Sequence, residues 1–312
     1  MADKEMRAVY CETLIRLAEK DSRIFVMEAD LMKATGTVPF KTAYPDRVVN
    51  AGAAEANMVG VAAGLSAAGK IPFAATFACF ASRRAYDQFF ISGNYAQLNI
   101  KLVGTDPGIT AAFNGGTHMP FEDIGMMRLI PNLWIMEPSD PVSLEKLLEA
   151  SAAHNGCTYM RLPRKPAPAL YGPEEHFHIG KGKVLRDGKD ITIIALGVVM
   201  VGEALKAAQK LEEQGISAAV IDALSVKPLD KDLILDYAAK TRRIITAENH
   251  QVLCGLGGAV AELCSRERPT PIAMVGVQDE FGEVGTQDWL QERFHLTAAE
   301  IVRQSQALMK KA

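Results

Sequence analysis

Met6, Val9, Tyr10, Thr13, Leu14 and Leu17 recur at steps of three and four, the spacing of one buried helix face. A short apolar run, Ile24 to Met27, follows at once, and the rhythm repeats along the chain. Val48-Val49 precedes a small-residue helix over about 55–68. Pro72 to Ala75 precedes a long helix over about 83–98. Ile100 to Val103, Leu133 to Met136 and Thr158 to Leu162 complete the strands, with a further helix over about 141–154. Helical stretches alternating with short apolar runs predict a parallel sheet covered on both faces.

Pro163, Pro166, Pro168 and Pro173 then interrupt the pattern, and proline lacks the donor that a helix or ladder needs. An extended linker is expected over 166–178, dividing a first domain, 1–165, from a second, 179–312. Asp187-Gly188 lies between two extended runs and reads as a two-residue hairpin turn. Strands near Ile191 to Leu196, Ala218 to Ile221, Ile244 to Ala247 and Ile272 to Val275, separated by helical stretches, predict that the second domain is α/β as well.

The 34 basic and 37 acidic side chains leave a formal charge of −3, which removes any electrostatic case for nucleic acid or an anionic membrane. No apolar run approaches the roughly 20 residues of a spanning helix. The N-terminal stretch has helical periodicity and acidic residues, unlike a signal peptide, so the cytoplasm is the expected location. Five cysteines without a CxxC pair argue against a disulfide framework or zinc cluster and predict reduced, mostly buried thiols.

Three segments carry candidate chemistry. Glu55 opens a helix otherwise built from Ala, Gly and Val. Its first-turn position alone fits a charge complementing the helix dipole. Glycines at 60 and 64 cost about 1 kcal/mol each in a helix interior, however, which implies close approach of another backbone or chain. Phe77 and Phe80 flank a strand end; such aromatics are commonly core, but ligands of open α/β sheets bind at the carboxyl ends of strands, where two rings can sandwich a flat heterocycle. The long turn over 105–123 brings Asn114, Thr117 and His118 onto one loop. That histidine is either a solvated side chain or a group for proton traffic near neutral pH. The glycines of CGLGGAVAEL imitate a dinucleotide fingerprint, but the third is misplaced and packing explains them better. No phosphate loop and no intrachain metal-ligand spacing occur.

Taken in order, GAAEANMVGVAAGLSAAG, Thr76-Phe77 with Phe80, Tyr86-Asp87-Gln88, GGTHMPFEDIGMMRLIPN and WIMEPSD resemble the pyrimidine-binding domain of the transketolase family. AENHQVLCGLGGAVAEL and GVQDEFGEVGT resemble that family's C-terminal domain. The GDG and asparagine of the family's diphosphate-binding domain do not occur. The resemblance therefore implies the second subunit of a split transketolase, inactive alone, with an N-terminal partner subunit in an α2β2 heterotetramer. The partner would hold the diphosphate and the Mg2+ or Ca2+ of thiamine diphosphate.

By this resemblance Glu55 hydrogen-bonds the aminopyrimidine ring, and a carboxyl group in a dry interface lined by Ala and Gly favours the neutral form. Phe77 and Phe80 flank the ring, Arg83 stands on its side where the family has Tyr, and Asp30 lies near the thiazolium. His118 hydrogen-bonds the substrate and assists proton movement. Arg161, with Arg7, matches arginines that bind a sugar-phosphate end. Thr105, Asn114 and Ala34 stand where the family has His, Asp and Ser, so the substrate shell is altered, with Asn114 still facing the sugar. Two thiamine enzymes are rivals, 1-deoxyxylulose-5-phosphate synthase and the β subunit of 2-oxo acid dehydrogenases; the His118 loop favours transketolase. A noncatalytic assembly subunit is the reading from another class, opposed by retention of Glu55, Phe77, Phe80 and His118.

Overall fold

The computed structural model describes residues 4–310, so the outermost residues of the two expected domains, 1–3 and 311–312, lie outside the described residues. In chain order the strands are β1 (Lys4–Glu5), β2 (Ile24–Glu28), β3 (Val48–Asn50), β4 (Ile71–Phe77), β5 (Lys101–Thr105), β6 (Trp134–Met136), β7 (Thr158–Leu162), β8 (Pro166–Ala167), β9 (Lys183–Arg186), β10 (Ile191–Ala195), β11 (Ala218–Asp222), β12 (Ser225–Lys227), β13 (Ile244–Gln251) and β14 (Ile272–Val277). The helices are α1 (Met6–Lys20), α2 (Met32–Thr35), α3 (Val38–Ala43), α4 (Glu55–Ala67), α5 (Ala78–Arg83), α6 (Tyr86–Gln88), α7 (Asp123–Arg128), α8 (Pro141–Ala153), α9 (Gly197–Glu212), α10 (Lys231–Thr241), α11 (Leu256–Glu267), α12 (Gln287–Arg293) and α13 (Ala298–Lys310).

The chain forms two α/β domains with mainly parallel sheets. The first sheet has the order β12-β6-β7-β5-β4-β2-β3, parallel except for β12, and the second β14-β13-β10-β11-β9, parallel except for β9. Strands such as β4, β5, β7 and β10 are buried almost throughout, as apolar runs covered on both faces must be. Helix α1 buries Met6, Val9, Tyr10, Thr13 and Leu14, the face that its spacing predicts. Helix α8 is fixed at its start by reciprocal bonds: Ser143 N donates to Asp140 Oδ1 at 2.7 Å and Asp140 N to Ser143 Oγ at 3.0 Å.

Two expectations fail. Asp187-Gly188 does not turn a hairpin, because β9 pairs antiparallel with β11 and has no ladder with β10. Gly188 is there for clearance: a Cβ on it would lie 2.2 Å from the Ala219 nitrogen. The long helix over 83–98 is broken into α5, α6 and a π-helical turn, Phe89–Tyr95. Arg84 and Ala85 both donate to the Phe80 carbonyl, which ends α5, and Asn94 Nδ2 donates to the Phe89 carbonyl at 2.8 Å inside the widened turn.

The proline-rich segment is strapped down. Its β8 pairs antiparallel with β1, the amides of Leu170 and Tyr171 donate to Asp140 Oδ2, and the Tyr171 hydroxyl donates to Asp222. The strand β12, from the C-terminal part of the chain, joins the first sheet beside β6, and one apolar cluster unites Leu102, Ile124 and Tyr159 with Leu196, Ile221 and Leu256.

Candidate active site

The carboxyl ends of parallel strands share one edge of a sheet, so β2, β4, β5 and β7 deliver the residues that follow them to one rim. Phe77 ends β4 and α5 begins at the next residue. This abrupt turn needs Gly104 on β5, where a Cβ would stand 2.9 Å from the Ala78 Cα. Phe80 sits on the first turn of α5, its ring centroid 6.0 Å from that of Phe77. His118 comes from the long loop after β5 and stands edge-on to both rings, at 5.8 Å from Phe77 and 5.1 Å from Phe80. Its Nδ1 is bonded to the Thr117 hydroxyl at 2.9 Å. All three side chains are half-buried, so the cluster opens outward.

Glu55, buried at the first turn of α4, reaches this cluster through Arg84. The Arg84 guanidinium lies 4.0 Å over the Phe80 ring and donates to Glu55 Oε1 at 3.5 Å. Sequence reasoning chose the neighbouring Arg83, whose donors point elsewhere. Arg83 Nε donates to the Cys79 carbonyl, Nη2 donates to the Thr117 carbonyl at 2.8 Å, and the group pairs with Glu122 at 3.3 Å. Arg83 braces the His118 loop, and Arg84 joins the carboxylate to the aromatic pair.

Arg161 is not at the rim. It is wholly buried on β7, where its guanidinium donates to Asp123, Glu137 and the Asn249 carbonyl, at 2.6 to 3.2 Å. Burial disfavours its charge, but Asp123 and Glu137 hold the guanidinium protonated. An arginine with no exposed surface cannot meet a substrate at the rim, contrary to its expected role at the sugar-phosphate end. Arg164, past the end of β7, is the arginine that reaches the rim. It pairs with Asp106 through two nitrogens and lies 5.3 Å from the Phe77 ring. Arg164 and Arg7 line a cavity of about 170 Å³ with Lys165, Thr110, Asp106 and Glu5. The strand end was the available signal: Arg161 lies within the ladder, Arg164 beyond it.

Asp30 is exposed at the end of β2, on the same rim, its amide donating to Asn50 Oδ1 at 2.9 Å. Asn114 is exposed at the end of a 3-10 turn. Thr105 is buried, and its hydroxyl donates back to the Thr76 carbonyl. The Ala34 carbonyl accepts from Arg7 and Arg164, each at 3.5 Å.

Residues 2–168 match the family description "Transketolase, pyrimidine binding domain", and residues 180–301 match "Transketolase, C-terminal domain". The chain belongs to the transketolase family. This transketolase-family chain is 49% identical to the 6-deoxy-6-sulfo-D-fructose transketolase subunit of Clostridium sp. (strain MSTE9), over 96% of this chain and 92% of that one. It is 41% identical to a putative transketolase C-terminal section of Methanocaldococcus jannaschii, over 99% and 97%. A solved structure described as a split gene transketolase, inactive beta4 tetramer, superposes with a TM-score of 0.91 at 40% identity, covering 99% of both chains. The 1-deoxy-D-xylulose-5-phosphate synthase of Heliobacterium modesticaldum is 37% identical over 96% of this chain but only 46% of its own length.

Proposed function

We propose that this chain is the C-terminal subunit of a split transketolase, building the pyrimidine half of a thiamine diphosphate site that a separate N-terminal subunit completes. The observation that carries this reading is the meeting of Glu55, Arg84, Phe80, His118 and Phe77 at one strand-end rim. The residues present suit the cofactor's ring: two half-buried phenylalanines offer apolar faces, and a buried carboxyl group at a helix start stands beside them. Thiamine diphosphate supplies the carbon nucleophile for transfer of a two-carbon ketol unit, and the protein supplies binding and orientation. Glu55 would hold a proton toward a ring nitrogen, Phe77 and Phe80 would exclude water, and His118 would hold or move a proton at a substrate hydroxyl. Asp30, exposed past β2 at the same rim, would lie near the thiazolium.

Arg7, Arg164 and Lys165 suit a ketose with a terminal oxyanion, since planar guanidinium groups match tetrahedral oxyanions. The Clostridium relative is named for a sulfonated sugar, so sulfonate and phosphate are both arms of the test. Asn114, at the loop edge, would face the acceptor or donor hydroxyls. The N-terminal subunit would bind the diphosphate and its Mg2+ or Ca2+, in an α2β2 heterotetramer.

Co-expression with a candidate N-terminal subunit, followed by ketol-transfer assays on sulfo-, phospho- and free ketoses, tests the proposal. Activity is expected only from the assembly, and turnover by this chain alone would refute the split. In the assembly, Glu55→Gln is expected to slow hydrogen–deuterium exchange at C2 of bound thiamine diphosphate by at least about 100-fold, within the usual span of general acid–base effects. Equal exchange rates would remove Glu55 from its role.

A further inference from the structure

We infer that the C-terminal domain sets the position of the His118 loop, and that Asn249 on β13 is the positioning residue through which it does so. Asn249 is 2% exposed, and its side-chain amide bonds to that loop through both its oxygen and its nitrogen. Its Oδ1 accepts from the Ile109 amide at 3.0 Å and its Nδ2 donates to the Pro107 carbonyl at 3.1 Å. Between them Gly108 adopts a φ of +55°, and a Cβ on it would lie 2.2 Å from Asn249 Oδ1, so the loop backbone lies directly against the amide. The Asn249 carbonyl is itself held by Arg161, which Asp123 and Glu137 fix in turn.

Contacts downstream repeat the grip. The Gln251 amide donates to the Phe121 carbonyl at 2.9 Å. Gly116 lies against the Gly282 carbonyl, where a Cβ would stand at 2.1 Å, and Gly115, at φ +81°, faces Val284. The loop is thus clasped by the C-terminal domain before His118, at 107–109 and 115–116, and after it, at 121. From the pyrimidine-binding side the clasp is joined by Arg83, which donates to the Thr117 carbonyl. A shift of a catalytic group by about 1 Å costs on the order of 100-fold in rate, so a domain that fixes this loop governs the reaction without touching substrate.

The kinetic half of the inference rests on the proposed ketol transfer; the structural half does not, and two readouts keep them apart. In the full chain, hydrogen exchange by mass spectrometry is compared for wild type, Asn249→Ala, Asn249→Asp, and Ile234→Val as a control in the same domain, whose apolar cluster holds no residue of 107–121. Asn249→Ala is expected to speed exchange over 107–121 by about tenfold or more, as loss of one or two hydrogen bonds implies. Asn249→Asp, which sets a buried carboxyl oxygen against the Pro107 carbonyl in place of the donor, should speed it as well, and Ile234→Val should leave the loop unchanged. An unchanged loop in both Asn249 variants, or equal acceleration in Ile234→Val, would overturn the inference. In the reconstituted assembly, kcat per cofactor-loaded site is expected to fall in both Asn249 variants; a fall only in the number of loaded sites would reduce Asn249 to a stabilising role and overturn the positioning claim. If wild type transfers no ketol unit, the functional proposal fails and the exchange result stands by itself.

Discussion

Glu28 lies wholly buried on β2, accepting from the hydroxyls of Thr35 and Thr37, while its Oε2 has no hydrogen-bond partner. Burial pushes its carboxyl group up to about 7 against those two bonds. Folding therefore takes up a proton here between the ordinary carboxylate value and about pH 7. The stability contributed is full in acid and is lost as pH rises through 7. Glu28→Gln keeps an acceptor for both hydroxyls and cannot ionise. Chemical denaturation at pH 5 and pH 8 should show the difference in unfolding free energy between the two shifting by up to about 3 kcal/mol relative to wild type. His250, lowered to about 4 by burial, works in the opposite sense, which is why the comparison is made within one variant pair. At this scale Glu55, Phe77 and Phe80 were legible as candidates because each sits beside a strand end or helix start that the apolar pattern locates, and His118 because it is the histidine of the long glycine-containing turn over 105–123. Arg84, Arg164 and Asn249 were not. Choosing between Arg83 and Arg84, or Arg161 and Arg164, depends on which way a side chain leaves its turn, and Asn249 acts on residues about 140 positions away.

Helix α4 shows what pattern alone conveys about an element. Its inner face buries Glu55, Met58, Val59, Ala62 and Ala63, and its outer face carries Asn57, Gly60, Val61, Gly64 and Ala67, all exposed. A helix this apolar all round is normally covered on every side. Within the described residues nothing approaches a Cβ placed on Gly60 or Gly64 to within 4 Å, so the chain itself gives these glycines no packing reason. Gly60→Ala and Gly64→Ala are each expected to stabilise the isolated chain by roughly 0.5–1 kcal/mol, measured by thermal unfolding, from helix propensity. Both should weaken association with the proposed N-terminal subunit, measured by sedimentation, because a Cβ keeps a second backbone at a distance. Unchanged association would place the contact elsewhere. The broken helix after α5 and the missing hairpin at Asp187-Gly188 were illegible for a different reason. Local propensity permits the regular alternative in each case; the close approach of Ala219 excludes it at Gly188, and the shared Phe80 carbonyl with the Asn94 bond inside the widened turn excludes it after α5.

Alternation of helices and strands predicts two α/β domains, but the sequence carries no sign that the second lends a strand to the first. Ser225 pairs with Met136 and Lys227 with Ile135, so the first sheet ends on a strand from beyond the linker. The shared apolar cluster and the Arg161 centre bind the two parts further. A fragment of residues 1–178 would expose the edge of β6 and leave Asp123, Glu137 and Arg161 without the Asn249 carbonyl. It is expected to aggregate or lose cooperative unfolding in circular dichroism, whereas the full chain is expected to unfold in one transition. A soluble, cooperatively folded fragment would show that the domains are independent. The borrowed strand also bears on synthesis. A ribosome must deliver Lys227 before the sheet begun at Ile24 is finished, so any pause in translation earlier than that holds an open strand edge to the surroundings. The timing of elongation is thereby part of how this protein avoids sticking to itself.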